Sequence, residues 1–113
     1  MGGITEEDKK HVEAFGQFLQ DTPLRRAVLK NVADERYAQL VKFGKQRHAN
    51  PGVWLAILGE EFGEVCEAAG PLMGLGTGKP TDAADLYTEL IQVAAVAVAW
   101  AEQLKEEGAT YVK

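Results

Sequence analysis

The chain has 113 residues, 46% of them hydrophobic, enough for one domain with a core of its own. Seventeen acidic residues against 12 basic ones give a net charge of -5, which argues against a nucleic-acid polymer as partner, because such binders carry a basic face. A single cysteine, Cys66, excludes a disulfide framework, fits a reducing cytoplasm and reads as a small core residue.

The N-terminus, MGGITEEDKK, is polar and acidic, so no signal peptide is expected. Thr5 followed by Asp8 has capping-box spacing and starts a first helix that runs to about Gln20. Val12, Phe15, Phe18 and Leu19 fall on one side of it. Asp21-Thr22-Pro23 sets a cap before a proline and opens a second helix, bent near Asn31 and stopped at Gly44. Leu24, Val28, Val32, Tyr37, Leu40 and Val41 are its apolar positions. After the loop KQRHANPG, Asn50-Pro51 repeats the cap-proline signature and opens a third helix to about Ala69.

A glycine-rich connection, GPLMGLGTGKPTD, leads to a fourth helix, opened by Thr81 or Asp82 and running through Glu107 to a stop at Gly108. Within the connection, GLGTGKPT imitates a phosphate-binding loop. Met73 stands where that motif needs glycine, and Pro80 follows Lys79 where it needs Ser or Thr. A flexible connector is the better reading, with Lys79 able to reach a phosphate. No alternating strand pattern and no internal repeat are visible. The expected fold is all-α, a four-helix-bundle-type subunit in which residues 1–113 form a single domain.

The fourth helix contains LIQVAAVAVAWA, Leu90 to Ala101, apolar at every position but Gln92. It is too short to cross a bilayer, which takes about 20 such residues, so no membrane association is expected. A helix apolar all round is buried on all sides. In so small a chain this points to a second subunit, and hence to a helical homo-oligomer.

Carboxylates interrupt this pattern. In GEEFGEVCEAAG, at ~100° per residue, Glu61 shares a face with Trp54, Ile57, Leu58, Val65 and Ala68, and Glu64 borders that face. Glu60 and Glu67 lie toward the rim and read as solvated. An ion pair with a neighbouring base would explain Glu61 and Glu64, but the apolar helices around them are poor in bases. Two carboxylates buried side by side need a compensating cation. Glu89 and Gln92, spaced i and i+3 on the fourth helix, supply more oxygen, with Asp85 one turn earlier. If the two helices pack antiparallel, Glu61, Glu64 and Glu89 converge. Oxygen ligands suit a hard cation such as magnesium, with manganese as a substitute. No His/Cys cluster suggests zinc.

The pattern Glu60-Glu61-Phe62-Gly63-Glu64, followed after a loop by Glu89-Leu90-Ile91-Gln92, resembles the MazG-like all-α nucleoside triphosphate pyrophosphatases. ERYAQLVKFGKQRH, WLAILGEEFGEV and ELIQVAAVAVAWAEQL resemble a phage and bacterial branch of that superfamily. The likeness spans about residues 34–104. It implies a homodimeric or homotetrameric helical bundle and magnesium-dependent cleavage of a nucleoside triphosphate to a monophosphate and pyrophosphate. By position it implies Glu61, Glu64 and Glu89 as metal ligands, with Glu60 as an acidic neighbour. Glu61 or Glu64 would orient or deprotonate the attacking water. Gln92 stands where the family pattern has aspartate. An amide oxygen can coordinate magnesium but brings no charge and cannot act as a base; Asp85 or Glu60 is the candidate source of the missing charge.

Substrate contacts are expected from Lys42, Lys45, Arg47 and His48, which cluster before the third helix, and from Gln39, Trp54 and Lys79. A solvated basic loop is the plainer account of the cluster, and core packing the plainer account of Trp54. Arg36 and Gln39 face either a cleft or a subunit contact. His11 and Trp100 read as structural. The rival from a different class is a catalytically silent helical oligomer, a nucleotide sensor or scaffold, and Gln92 favours it.

Overall fold

The computed structural model describes residues 3–20, 22–44, 50–74 and 84–112. Among them are four α-helices, α1 (Glu6–Gln20), α2 (Pro23–Phe43), α3 (Pro51–Ala69) and α4 (Leu86–Glu106), and a 3-10 turn, Gly70–Met73. No strand occurs among the described residues, so the all-α expectation holds. None of these helices is long and apolar enough to cross a membrane. The chain divides into two compact units, Met1–Lys30 and Asn31–Lys113, and the division falls within α2.

In the first unit, the capping box forms as the spacing requires. The Asp8 amide donates to Thr5 Oγ1 at 3.0 Å, and the Thr5 amide donates to Asp8 Oδ2 at 3.2 Å. The expected apolar side of α1 is present but unburied: Val12, Phe15, Phe18 and Leu19 are all exposed. Arg25 lies over the Phe18 ring, 3.5 Å from its centroid, and donates to the Phe18 carbonyl.

In the second unit, α3 starts as the sequence requires. Asn50 Oδ1 accepts the Val53 amide at 3.0 Å, and Pro51 fills the first helical position, where a missing N–H costs nothing. The start of α4 differs from the expectation. Asp85, not Thr81 or Asp82, is the cap, and its Oδ1 accepts the Thr88 amide at 3.0 Å. Thr81 and Asp82 lie outside the described residues. The far end of α4 closes in a Schellman-like turn: Gly108 has φ +104 and the Ala109 amide donates to the Leu104 carbonyl at 2.9 Å.

The core of this unit is α3 against α4, with α2 laid on α4. Trp54 meets Val96 and Ala99, and its indole stacks on Trp100 with centroids 6.2 Å apart. Trp54 Nε1 donates to Gln103 Oε1 at 2.8 Å, so the one polar atom of a 3% exposed side chain is satisfied. Early α3 thus meets late α4, and the pair is antiparallel. On the α2 side, Val32 packs on Ile91 and Ala95. Tyr87 donates to Asn31 Oδ1 at 2.5 Å and Arg36 Nε to Glu102 at 2.8 Å, so α2 and α4 run in the same direction. Of the apolar positions expected on α2, Val32 is buried and Leu40 half-buried; Leu24, Val28, Tyr37 and Val41 are exposed. Cys66 is exposed, not a core residue, because it sits on the side of α3 turned away from α4.

Candidate metal centre and its adjoining cavity

The antiparallel α3–α4 contact decides the site. Trp54 near Gln103 at one end places Glu61 and Glu64 beside Glu89 at the other. One carboxylate oxygen from each of Glu61, Glu64 and Glu89 lies within 4.8 Å of the other two. Glu89 is 1% exposed, the most buried large side chain described. Its Oε1 accepts the Ala84 amide at 2.6 Å. Its Oε2 and Glu61 Oε2 are buried with no hydrogen-bond partner. Buried acceptors are nearly always satisfied, so two partnerless carboxylate oxygens in one cluster stand out.

The electrostatics agree with that geometry. Burial pushes the Glu61 carboxyl up, and the neighbouring Glu89, Glu60 and Glu35 push it further. A hydrogen bond to the Glu89 side chain raises Glu64 to about 7, with burial and the charges of Glu61, Glu89 and Glu60 adding to it. Two carboxylates can share such a bond only if one keeps a proton. The donor set is all oxygen, which suits magnesium or manganese and not zinc.

The other expected ligands are placed differently. Glu60 stays outside the converging group; it is exposed on the wall of a neighbouring cavity and acts on Glu61 and Glu64 through its charge. Gln92 is half-buried on α4, one turn after Glu89. Asp85 is engaged as the α4 cap, with Oδ1 on the Thr88 amide and Oδ2 on the Thr88 hydroxyl, bonds that hold its carboxyl below the usual range. It supplies the start of the helix that carries Glu89, not a replacement for the charge absent at Gln92.

A cavity of about 500 Å³ opens beside the cluster between α2, α3 and α4. Glu61 belongs to both. Arg36, Gln39 and Trp54 line it, so the cleft alternative for Arg36 and Gln39 is the observed one. Glu102, Gln103 and Glu106 line it as well and escaped the sequence reading. The available signal was their interruption, within one turn, of an otherwise apolar helix. Trp54 combines both its expected roles, as a core side chain and as part of the cavity wall. Lys42 is exposed, 5.0 Å from the Phe43 ring centroid, and is not among the lining residues. Lys45, Arg47, His48 and Lys79 lie outside the described residues. His11 is exposed beside Glu7, 4.0 Å away. The chain matches no family model, no curated protein and no solved structure.

Proposed function

We propose that the chain is a magnesium-dependent nucleoside triphosphate pyrophosphohydrolase of the MazG-like kind, working as a cytoplasmic homo-oligomer. The observation that carries this reading is the convergence of Glu61, Glu64 and Glu89 with two orphaned buried oxygens, next to a cavity of nucleotide size. Glu61, Glu64 and Glu89 would hold the cation, with the Gln92 amide oxygen as a neutral addition. A cation held by these residues would supply polarisation of the phosphate oxygens, stabilisation of the leaving pyrophosphate and a lowered pKa for a nearby water.

The chain's own residues do the rest. Glu61 or Glu64 would orient or deprotonate the attacking water. Glu89, pinned by the Ala84 amide, fixes the position of the cluster relative to α4. Attack on the α-phosphorus then releases a monophosphate and pyrophosphate, and the catalysis is mainly positioning and electrostatics. The cavity beside Glu61 receives the nucleoside, with Arg36 and Gln39 on one wall and Trp54 on another.

The test is pyrophosphate release from a panel of ribo- and deoxynucleoside triphosphates in magnesium. Release by the wild-type chain, absent in Glu64→Ala with its helical circular dichroism intact, is the expected result. Equal release by that variant overturns the assignment. The silent-scaffold reading rests on Gln92 and requires that no triphosphate in the panel is cleaved.

A further inference from the structure

The cavity of the second unit spans two turns of α3, from Trp54 to Glu61, ~10 Å along the helix. Glu61 marks the end at the carboxylate cluster. Trp54 marks the far end, where it donates to Gln103 and where Glu102 and Glu106 of α4 join the wall. A nucleoside laid along this axis, with its 5′ end at Glu61, brings the edge of its base to Trp54 and Glu102.

The wall is unevenly supplied with hydrogen-bonding groups. Each described lining residue that carries a side-chain donor already gives a bond within the protein. Arg36 Nε donates to Glu102 Oε1 at 2.8 Å, Gln39 Nε2 weakly to Glu35 at 3.5 Å, Trp54 Nε1 to Gln103 at 2.8 Å and Gln103 Nε2 to Glu107 at 3.1 Å. Acceptors are in surplus. Glu60, Glu61, Glu102 and Glu106 put four carboxylates on the wall against the one guanidinium of Arg36. An ionised carboxylate accepts at about four sites and donates at none, and the Arg36 Nε bond uses one such site on Glu102. At the cluster end, Glu61 Oε2 is buried with no partner. Such a wall repels a phosphate chain. The neutral end of a nucleotide is what it admits, and it favours a ligand rich in N–H groups.

We infer that the cavity selects nucleobases that carry an amino group, namely cytosine, adenine and guanine, over the oxo bases uracil, thymine and hypoxanthine. This rests on the pyrophosphohydrolase reading and adds the class of base to it. An amino base brings more N–H donors to its edge than its oxo counterpart does. A carboxylate accepts from such an amine, as it does from N4 of cytosine. A carbonyl in the same place lays an acceptor against an acceptor and leaves both unpaired, which is how a polar site rejects the wrong analogue. Glu102 is the residue that takes the amine. It stands at the Trp54 end, where the base lies, and Arg36 reaches across from α2 to hold its carboxylate. Ile57, Val96 and Ala99 give the ring faces an apolar surface.

The test is a ligand-observed NMR titration of the full chain in EDTA, at millimolar nucleoside, with cytidine against uridine, adenosine against inosine and guanosine against inosine. Nucleosides carry no phosphate, so the readout needs neither a cation nor turnover. In at least one pair the amino member should bind roughly tenfold tighter, the factor a hydrogen bond to a charged group supplies. Glu102→Gln places an amide, donor as well as acceptor, where the carboxylate was, and should bring that ratio below about threefold. The Glu102 side chain is 55% exposed, and circular dichroism checks that the variant keeps its helices. Equal binding within every pair, tighter binding of uridine or inosine, no binding of any nucleoside, or an undiminished preference in Glu102→Gln overturns this inference and leaves the pyrophosphohydrolase reading standing. The expected preference, in a chain that releases pyrophosphate from no triphosphate, supports the assignment of the cavity and overturns the enzyme reading.

Discussion

Replacing Glu89 by glutamine should make the metal-free protein more stable and at the same time abolish its stabilisation by magnesium. In the metal-free cluster Glu89 faces Glu61, with ligand oxygens within 4.8 Å. At an effective dielectric of ~20, two full charges at that separation repel by about 3 kcal/mol. Glutamine removes the repulsion, and its amide can donate to the orphaned Glu61 Oε2. Two losses oppose this gain. The bond from the Ala84 amide changes from charge-assisted to neutral, which costs about 1 kcal/mol. A negative charge in the first turn of α4 is lost, which costs about 0.5 kcal/mol. The balance is a gain of roughly 1–2 kcal/mol, or about 4–8 °C in Tm for a chain of this size. Magnesium at 100 times its Kd should raise the wild-type stability by about 2.7 kcal/mol, and the variant should show no such rise. Thermal melts by circular dichroism in EDTA and in excess magnesium measure both effects. A Glu89→Gln protein that melts lower than wild type in EDTA, or that keeps the magnesium shift, refutes the reasoning.

Other outcomes follow from the same geometry. Glu61 and Glu64 have raised folded-state pKa values, so the stability they contribute is complete below about 4.5 and is lost as pH rises through the folded value, about 7 for Glu64. The Tm in EDTA should fall between pH 5 and pH 8, and the magnesium shift should grow over the same range because binding needs the carboxylates deprotonated; a Tm that is flat or rising counts against the protonated cluster. Asp85 has the opposite sign and titrates below that window. Asp85→Ala removes the α4 cap, should cost about 1 kcal/mol in a denaturant melt, and should weaken magnesium binding by loosening the turn that holds Glu89; unchanged magnesium affinity would separate the cap from the site. Trp54→Phe keeps the stacking position but leaves the bond to Gln103 unmade, and should cost about 1–3 kcal/mol by the same assay. A smaller loss would mean that Gln103 finds another partner.

Local rules served best where one residue decides. Thr5 with Asp8 and Asn50 with Pro51 cap their helices because their side chains reach amides two or three residues on, a purely local geometry. At α4 the sequence reading named Thr81 or Asp82, while the cap is Asp85; local pattern does not choose among closely spaced residues that can all cap. Periodicity placed Glu61 on the face of Trp54, Ile57 and Leu58, and the apolar surroundings of Glu89 made its burial readable. The meeting of Glu61, Glu64 and Glu89 needed the further fact that α3 and α4 are antiparallel. The cavity was harder to read. Arg36, Gln39, Glu102, Gln103 and Glu106 come from two helices far apart in sequence, and no spacing rule joins them. The apolar side of α1 and the apolar positions of α2 were legible in the sequence, but not what covers them. An amphipathic pattern tells which face is apolar and not what covers it, so Phe15, Phe18 and Tyr37 could not be foreseen as exposed.

The fold around the cluster also explains why a stabilising change should be damaging. Glu89 is held at 1% exposure beside two other carboxylates, an arrangement that the proposed cation would relieve. Substitutions that relieve it remove the ligands, so stability and metal binding should trade against each other at these three positions.

The cation site itself is the central claim, and titration of the chain with manganese, followed by the loss of the free-ion electron paramagnetic resonance signal, tests it most directly. The account predicts at least one manganese bound per wild-type chain, displaced by excess magnesium and absent in Glu89→Gln and Glu64→Gln. A wild-type protein that leaves the free manganese signal undiminished, or variants that bind as tightly as wild type, would contradict it.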